Sequence, residues 1–181
     1  MNMNDGGSSF LPGTASEGQI AEYSEGFCHV FAIALHKEFG WSMLVVTDDN
    51  EVWWEDEDDP DNFIPAVNHV YAVDANGLAW DIAGCRQEGD VAAEVAERFG
   101  VMETSQDECR GLGEMVMYVD GLSDDDDIER PLFSYSQADV DRALAVAKQV
   151  LSCLPGFPSD LPVEAPYENP SEATKKSKFK V

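Results

Sequence analysis

The chain has 181 residues, with 36 Asp and Glu against 11 Lys and Arg, a net charge of −25. Its 44% hydrophobic content is enough for one packed domain. No apolar run is long enough to span a bilayer. The acidity opposes nucleic-acid binding and favours a cationic peptide or a basic protein surface as partner.

Residues 1–15, rich in Gly, Ser and Asn, read as a flexible arm without the basic and apolar segments of a signal peptide, which predicts a cytoplasmic protein. Ser16 with Gln19 has the form of a capping box and starts a short helix ending near Tyr23. Apolar residues at 27, 30, 31, 34 and 35 predict a helix over Phe27–Phe39, stopped by Gly40. Trp41–Thr47 reads as a strand. Nine acidic residues between Asp48 and Asp61 then predict a solvated loop. Within it, Trp53 and Trp54 are candidates for contacting a basic partner. Ala66–Val73 and Leu78–Ile82 read as a hairpin joined through Asp74-Ala75-Asn76-Gly77. Asp90–Phe99 reads as a helix and Glu114–Val119 as a strand. A second acidic block follows at Asp124–Glu129. Ser136 with Asp139 caps a helix running to about Cys153. Residues 155–181 form a Pro-rich tail, with four of the 11 basic residues in its last seven positions. The prediction is a single α+β domain over residues 16–154, with three or four central antiparallel strands and helices at both ends.

The chemistry-bearing residues are few. Cys28, Cys85, Cys109 and Cys153 contain no Cys-x-x-Cys pair, so neither a metal nor a cofactor is predicted, and the cysteines are expected to be free thiols. Cys28 follows Gly26-Phe27 and opens a helix, where the positive end of the macrodipole favours a thiolate. Gly26 would allow a substrate close to the backbone. His69 follows in one strand and Asp81 in the next. A thiol, an imidazole and a carboxylate are the parts of a nucleophilic triad. His29 and His36 read as surface or satisfied core histidines. Glu22 and Glu25, close to Cys28, would oppose a thiolate.

Strand parity tests the triad. A two-residue turn at Asn76-Gly77 puts Asp81 on the face opposite His69. A three-residue loop, Ala75-Asn76-Gly77, pairs 71 with 81, so His69 and Asp81 become diagonal neighbours about 7–8 Å apart at the backbone. The hydrophobic pattern selects the second register. It gathers Val70, Ala72, Leu78, Trp80 and Ile82 on one face and His69, Tyr71, Val73, Ala79 and Asp81 on the other.

Gly26-Phe27-Cys28 opening a helix, His69-Val70-Tyr71-Ala72-Val73-Asp74, and Gly77-Leu78-Ala79-Trp80-Asp81-Ile82 together resemble the core of the papain-like cysteine hydrolases in their transglutaminase-like arrangement. That superfamily includes the arylamine N-acetyltransferases and the NlpC/P60 amidases. The resemblance covers residues 24–84. It implies a papain-like or transglutaminase-like fold, with Cys28 as nucleophile, His69 as base and Asp81 as orienting acid. By the same analogy Gln19 is a candidate oxyanion donor, a role it shares with its reading as a capping-box residue. Tyr71, on the face of His69, is a candidate pocket residue. Two functional classes follow. One is a cysteine-dependent hydrolase or acyl-transferase acting on an amide or acyl bond: a peptidase, deamidase or transglutaminase-like enzyme. The other is a non-enzymatic acidic binding or inhibitor protein that mimics nucleic acid or occupies a basic protein surface.

Overall fold

Ser16 starts the first helix as its sequence predicts: its hydroxyl accepts from the Gln19 N–H, and the Gln19 side chain accepts from the Ser16 N–H at 2.9 Å. A computed structural model describes residues 10–55, 63–120 and 134–158. Within them α1 is Glu17–Glu25 and α2 is Cys28–Phe39, the latter ended by Gly40 at φ +69°. Both follow the predicted pattern within two or three residues.

The sheet has six strands, all antiparallel, in the order β1-β5-β4-β3-β2-β6. These are β1 (Leu11–Pro12), β2 (Ser42–Glu55), β3 (Phe63–Val73), β4 (Leu78–Asp81), β5 (Gly84–Gln87) and β6 (Thr104–Cys109). The remaining helices are α3 (Glu88–Phe99), α4 (Leu112–Asp120) and α5 (Gln137–Leu151), the last opened by the predicted Ser136–Asp139 capping box. One face of the sheet packs against α1, α2, α4 and α5 through Met43, Val45, Val70, Ala72, Trp80 and Ile82. The other face packs against α3 through Leu44, Val46, Tyr71 and Ala79 with Val91 and Val95.

Five expectations need correction. Residues 11–14, assigned to a mobile arm, are tied down: Leu11 pairs with Cys85, Gly13 N–H donates to Ala83 O, and Thr14 N–H donates to Val150 O. Residues 48–55, assigned to a loop, belong to β2, because an extended backbone lets Asp49 and Glu51 project into water while the main chain pairs with β3. Glu114–Val119, assigned to a strand, lies in α4. Met115 and Tyr118 are buried at helical spacing, and Glu114 accepts from the Arg110 N–H at 2.7 Å. The sheet also gains β5 and β6, whose polar sequences carry no apolar alternation. At the C-terminal boundary, Phe157 is buried against Trp41 and Trp80, so the packed domain passes residue 155. The Trp53 and Trp54 side chains, the second acidic block and the tail from residue 159 lie outside the described residues.

The tightest backbone approach is at Gly84, which has φ +149°, and a Cβ there would sit 2.1 Å from Leu11 O. Gly84→Ala is expected to cost at least about 1–3 kcal/mol in urea denaturation. An unchanged midpoint would contradict the described β1–β5 contact.

Candidate active site

The register of β3 and β4 places the site. Ala72 faces Trp80 and Val73 faces Ala79, and Asp74 N–H donates to Leu78 O at 3.0 Å. This is the three-residue loop, with Gly77 at φ +77° in the left-handed position. His69 and Asp81 therefore share a face. His69 Nε2–H donates to Asp81 Oδ2 at 3.1 Å. The carboxylate is held from two further sides: Ala83 N–H donates to Oδ1 at 2.9 Å, and Arg86 Nη2–H donates to Oδ2 at 2.7 Å. Arg86 Nε in turn pairs with Glu94 Oε2 at 2.8 Å.

Cys28 is the first residue of α2 and is buried, and its thiol is hydrogen-bonded to both His69 and His29. Since Nε2 of His69 is engaged by Asp81, Nδ1 is the nitrogen left for the thiol. Burial by itself would raise the Cys28 pKa. Hydrogen bonds from His29 and His69, with the positive charge of the imidazoles, outweigh it and hold the thiol at about 6. His69 moves oppositely. Burial disfavours its charged form, but its hydrogen bonds to Asp81 and Cys28 and their negative charges raise it to about 9. Asp81 resists the upward pull of burial because His69 and Arg86 stabilise its charge, which keeps it well below the usual carboxylate range. Between these limits the pair is a thiolate and an imidazolium. Burial drives the Cys109 thiol up to about 11 and raises Cys85 too. All four cysteines are unpaired with one another.

The geometry brings together Cys28, His69 and Asp81 and separates the other candidates. Gln19 sits at the opposite end of α1 from Cys28, its side-chain oxygen engaged by Ser16. Gly26 caps α1, with its N–H donating to Glu22 O. Its φ of −139° does not need glycine. Tyr71 shares the face of His69, their rings stacked at 6.3 Å, but it is buried under α3, and its hydroxyl accepts from Gln106 Nε2 at 2.9 Å. It supports the His69 ring and does not open to solvent. Glu22 and Glu25, expected to oppose the thiolate, are paired with Arg142 and Arg98. His36 Nδ1–H donates to Trp41 O at the far end of α2.

Three residues were missed. Arg86 and Glu94 were passed over because Arg86 lies in a polar strand with no periodic signal. His29, fully buried between Phe27 and Tyr135, was assigned by the general behaviour of histidine. Its position next to the helix-opening cysteine was the available signal. A cavity of about 120 Å³, lined by His69, Asp81, Arg86 and Glu94, with Phe10 and Phe99 at its sides, gives access to the His–Asp end. Among the described residues no group of three or more His, Cys, Asp and Glu side chains could hold a metal ion. No helix among them is long and apolar enough to cross a membrane. Comparisons with protein-family models, curated proteins and solved structures found no match.

Two outcomes follow from the buried charges. Iodoacetamide alkylation of Cys28 is expected to rise with pH through about 6, well below the ordinary thiol range, and to lose that advantage in His69→Ala. Alkylation of Cys28 that rises only with Cys85 and Cys109 would contradict it. Arg86→Leu leaves Asp81 and Glu94 without their cation and is expected to cost about 3–5 kcal/mol by chemical denaturation. A loss under about 1 kcal/mol, the range of surface pairs, would contradict a buried network.

Proposed function

We propose that the protein is a cysteine-dependent hydrolase or acyl-transferase of the papain-like or transglutaminase-like kind, acting on an amide or related acyl bond. The observation that carries this reading is the buried hydrogen-bonded chain from Cys28 through His69 to Asp81. A lowered thiol beside a raised imidazole is the charge state that such chemistry requires.

The Cys28 thiolate attacks the carbonyl carbon, and the carbonyl π pair moves onto oxygen. His69, already protonated, donates to the leaving amine as the C–N bond breaks, which leaves a thioester on Cys28. Neutral His69 then takes a proton from water or an acceptor amine as that nucleophile attacks the thioester. The product leaves, and the pair returns to thiolate and imidazolium. Asp81 keeps the ring oriented through Nε2–H and stabilises its positive charge, while Arg86 and the Ala83 N–H hold the carboxylate in place. The acidic surface steers basic polypeptides toward the site, so the preferred substrate is an amide within a cationic peptide or a basic protein.

Turnover of a panel of basic peptides and activated esters tests this. Cys28→Ala is expected to abolish turnover, and His69→Ala to reduce it by about 10²–10⁴. The rate should follow a bell, rising through about 6 as Cys28 ionises and falling through about 9 as His69 loses the proton it donates. The specificity constant for basic peptides should fall as salt is added. Turnover that survives Cys28→Ala would overturn the reading.

A further inference from the structure

Acyl transfer needs donors for the oxygen that becomes negative in the tetrahedral intermediate. The Cys28 backbone N–H is one: as the first residue of α2 it has no acceptor within the helix, and Phe27, the residue before it, supplies no side-chain cap. Gln19, the candidate for the second, is engaged with Ser16. The position is open, and among the buried side-chain donors without a hydrogen-bond acceptor one, Asn68 Nδ2, lies next to His69 in the chain.

Asn68 Nδ2 is shut off from solvent and has no hydrogen-bond acceptor among the described residues. A buried amide left without a partner costs stability and calls for an explanation. Its place in the chain supplies one. Val46 faces His69 and Thr47 faces Val67, so Asn68 is the extra residue of a β-bulge directly before the imidazole that holds the Cys28 thiol. Bulges re-aim a side chain and recur beside active sites. Val67, just before it, and Val70, two residues on, pack into the core shared with α2. This bulge ends the regular pairing of β2 with β3 that runs unbroken from Ser42–Val73 to Val46–His69, and it is the first of three register shifts between the two strands.

We propose that Asn68 is the second oxyanion donor, so that its Nδ2–H and the Cys28 backbone N–H together hold the oxygen of the intermediate formed on Cys28. This rests on the acyl-transfer reading above. The thiolate forms the C–S bond, the carbonyl π pair moves to oxygen, and both N–H groups bind that oxygen. Collapse restores the C=O bond and expels the leaving group with its electron pair. The donor left orphaned in the resting protein is then satisfied in the intermediate, which is the differential binding that accelerates a reaction.

Two reagents separate this role from a structural one. p-Nitrophenyl acetate acylates a thiolate through an oxyanion. Iodoacetamide alkylates the same thiolate by displacing iodide and forms no oxyanion. In Asn68→Ala the Cys28-dependent burst of p-nitrophenolate is expected to slow about 100-fold or more, with alkylation of Cys28 unchanged. Asn68→Leu fills the space and removes the orphan donor. It should show the same split and melt no lower than wild type. Acylation at the wild-type rate in both variants would overturn the assignment, as would a parallel slowing of both reagents. If wild-type Cys28 reacts no faster than Cys85 and Cys109 with either reagent, the acyl-transfer reading itself fails, a result distinguishable from loss of the Asn68 role alone.

Discussion

Everything at the site depends on the register of the β3–β4 hairpin. Asp74 sets it. One oxygen of its carboxylate accepts from the Asn76 and Leu78 N–H groups at 2.8 and 3.0 Å, and the other accepts from Trp80 Nε1 at 3.1 Å. The loop is thereby locked at three residues, and the ring that anchors it is the largest fully buried side chain of the core. Because side chains alternate along a strand, a slip by one residue would turn Asp81 into the aliphatic face and Trp80 out of it. The constraint that packs the core is the same one that delivers the carboxylate to His69.

With that register in place, the buried residues Cys28, His69, Asp81 and Arg86 form one continuous array, which the partly exposed Glu94 completes at its outer end. Buried charges are costly unless they are paired and hydrogen-bonded. Each here meets an opposite charge, and the Asp81 carboxylate also receives a backbone N–H. The low dielectric that makes the array expensive makes its internal couplings strong, so the thiol and the imidazole are displaced in opposite directions. Fold and chemistry meet at α3: it covers the outer face of the sheet and carries Glu94, the residue that holds Arg86 against Asp81.

The juxtaposition of Cys28, His69 and Asp81 was legible in the sequence because each residue carried a local rule. Cys28 opened a periodic helix, and parity together with the burial cost of a carboxylate decided where Asp81 pointed. Parity also sorted Val70, Ala72 and Trp80 from Tyr71 and Ala79. Partners set by tertiary contact were not legible. Arg86 sits in a short strand whose neighbours are Gly84, Cys85 and Gln87, and its meaning comes from Asp81 across the hairpin and Glu94 on the following helix. β6 was hidden because an edge strand with one wet face carries polar residues. The acidic run at 48–55 misled because charge repulsion argues against burial and says nothing about an extended backbone whose side chains reach water. α4 was misread because a short apolar run alternates well enough to satisfy a strand, and only Met115 and Tyr118 together reveal the helical period.

The central claim is that Cys28 and His69 rest as a thiolate and an imidazolium in a buried pair. NMR titration of the His69 ring nitrogens reads this directly. The ring should be charged at neutral pH and lose its proton near pH 9, with that value falling when Cys28 is replaced by serine. A His69 ring that is neutral at pH 7.5 and titrates near the ordinary histidine value of about 6.5 would contradict the account.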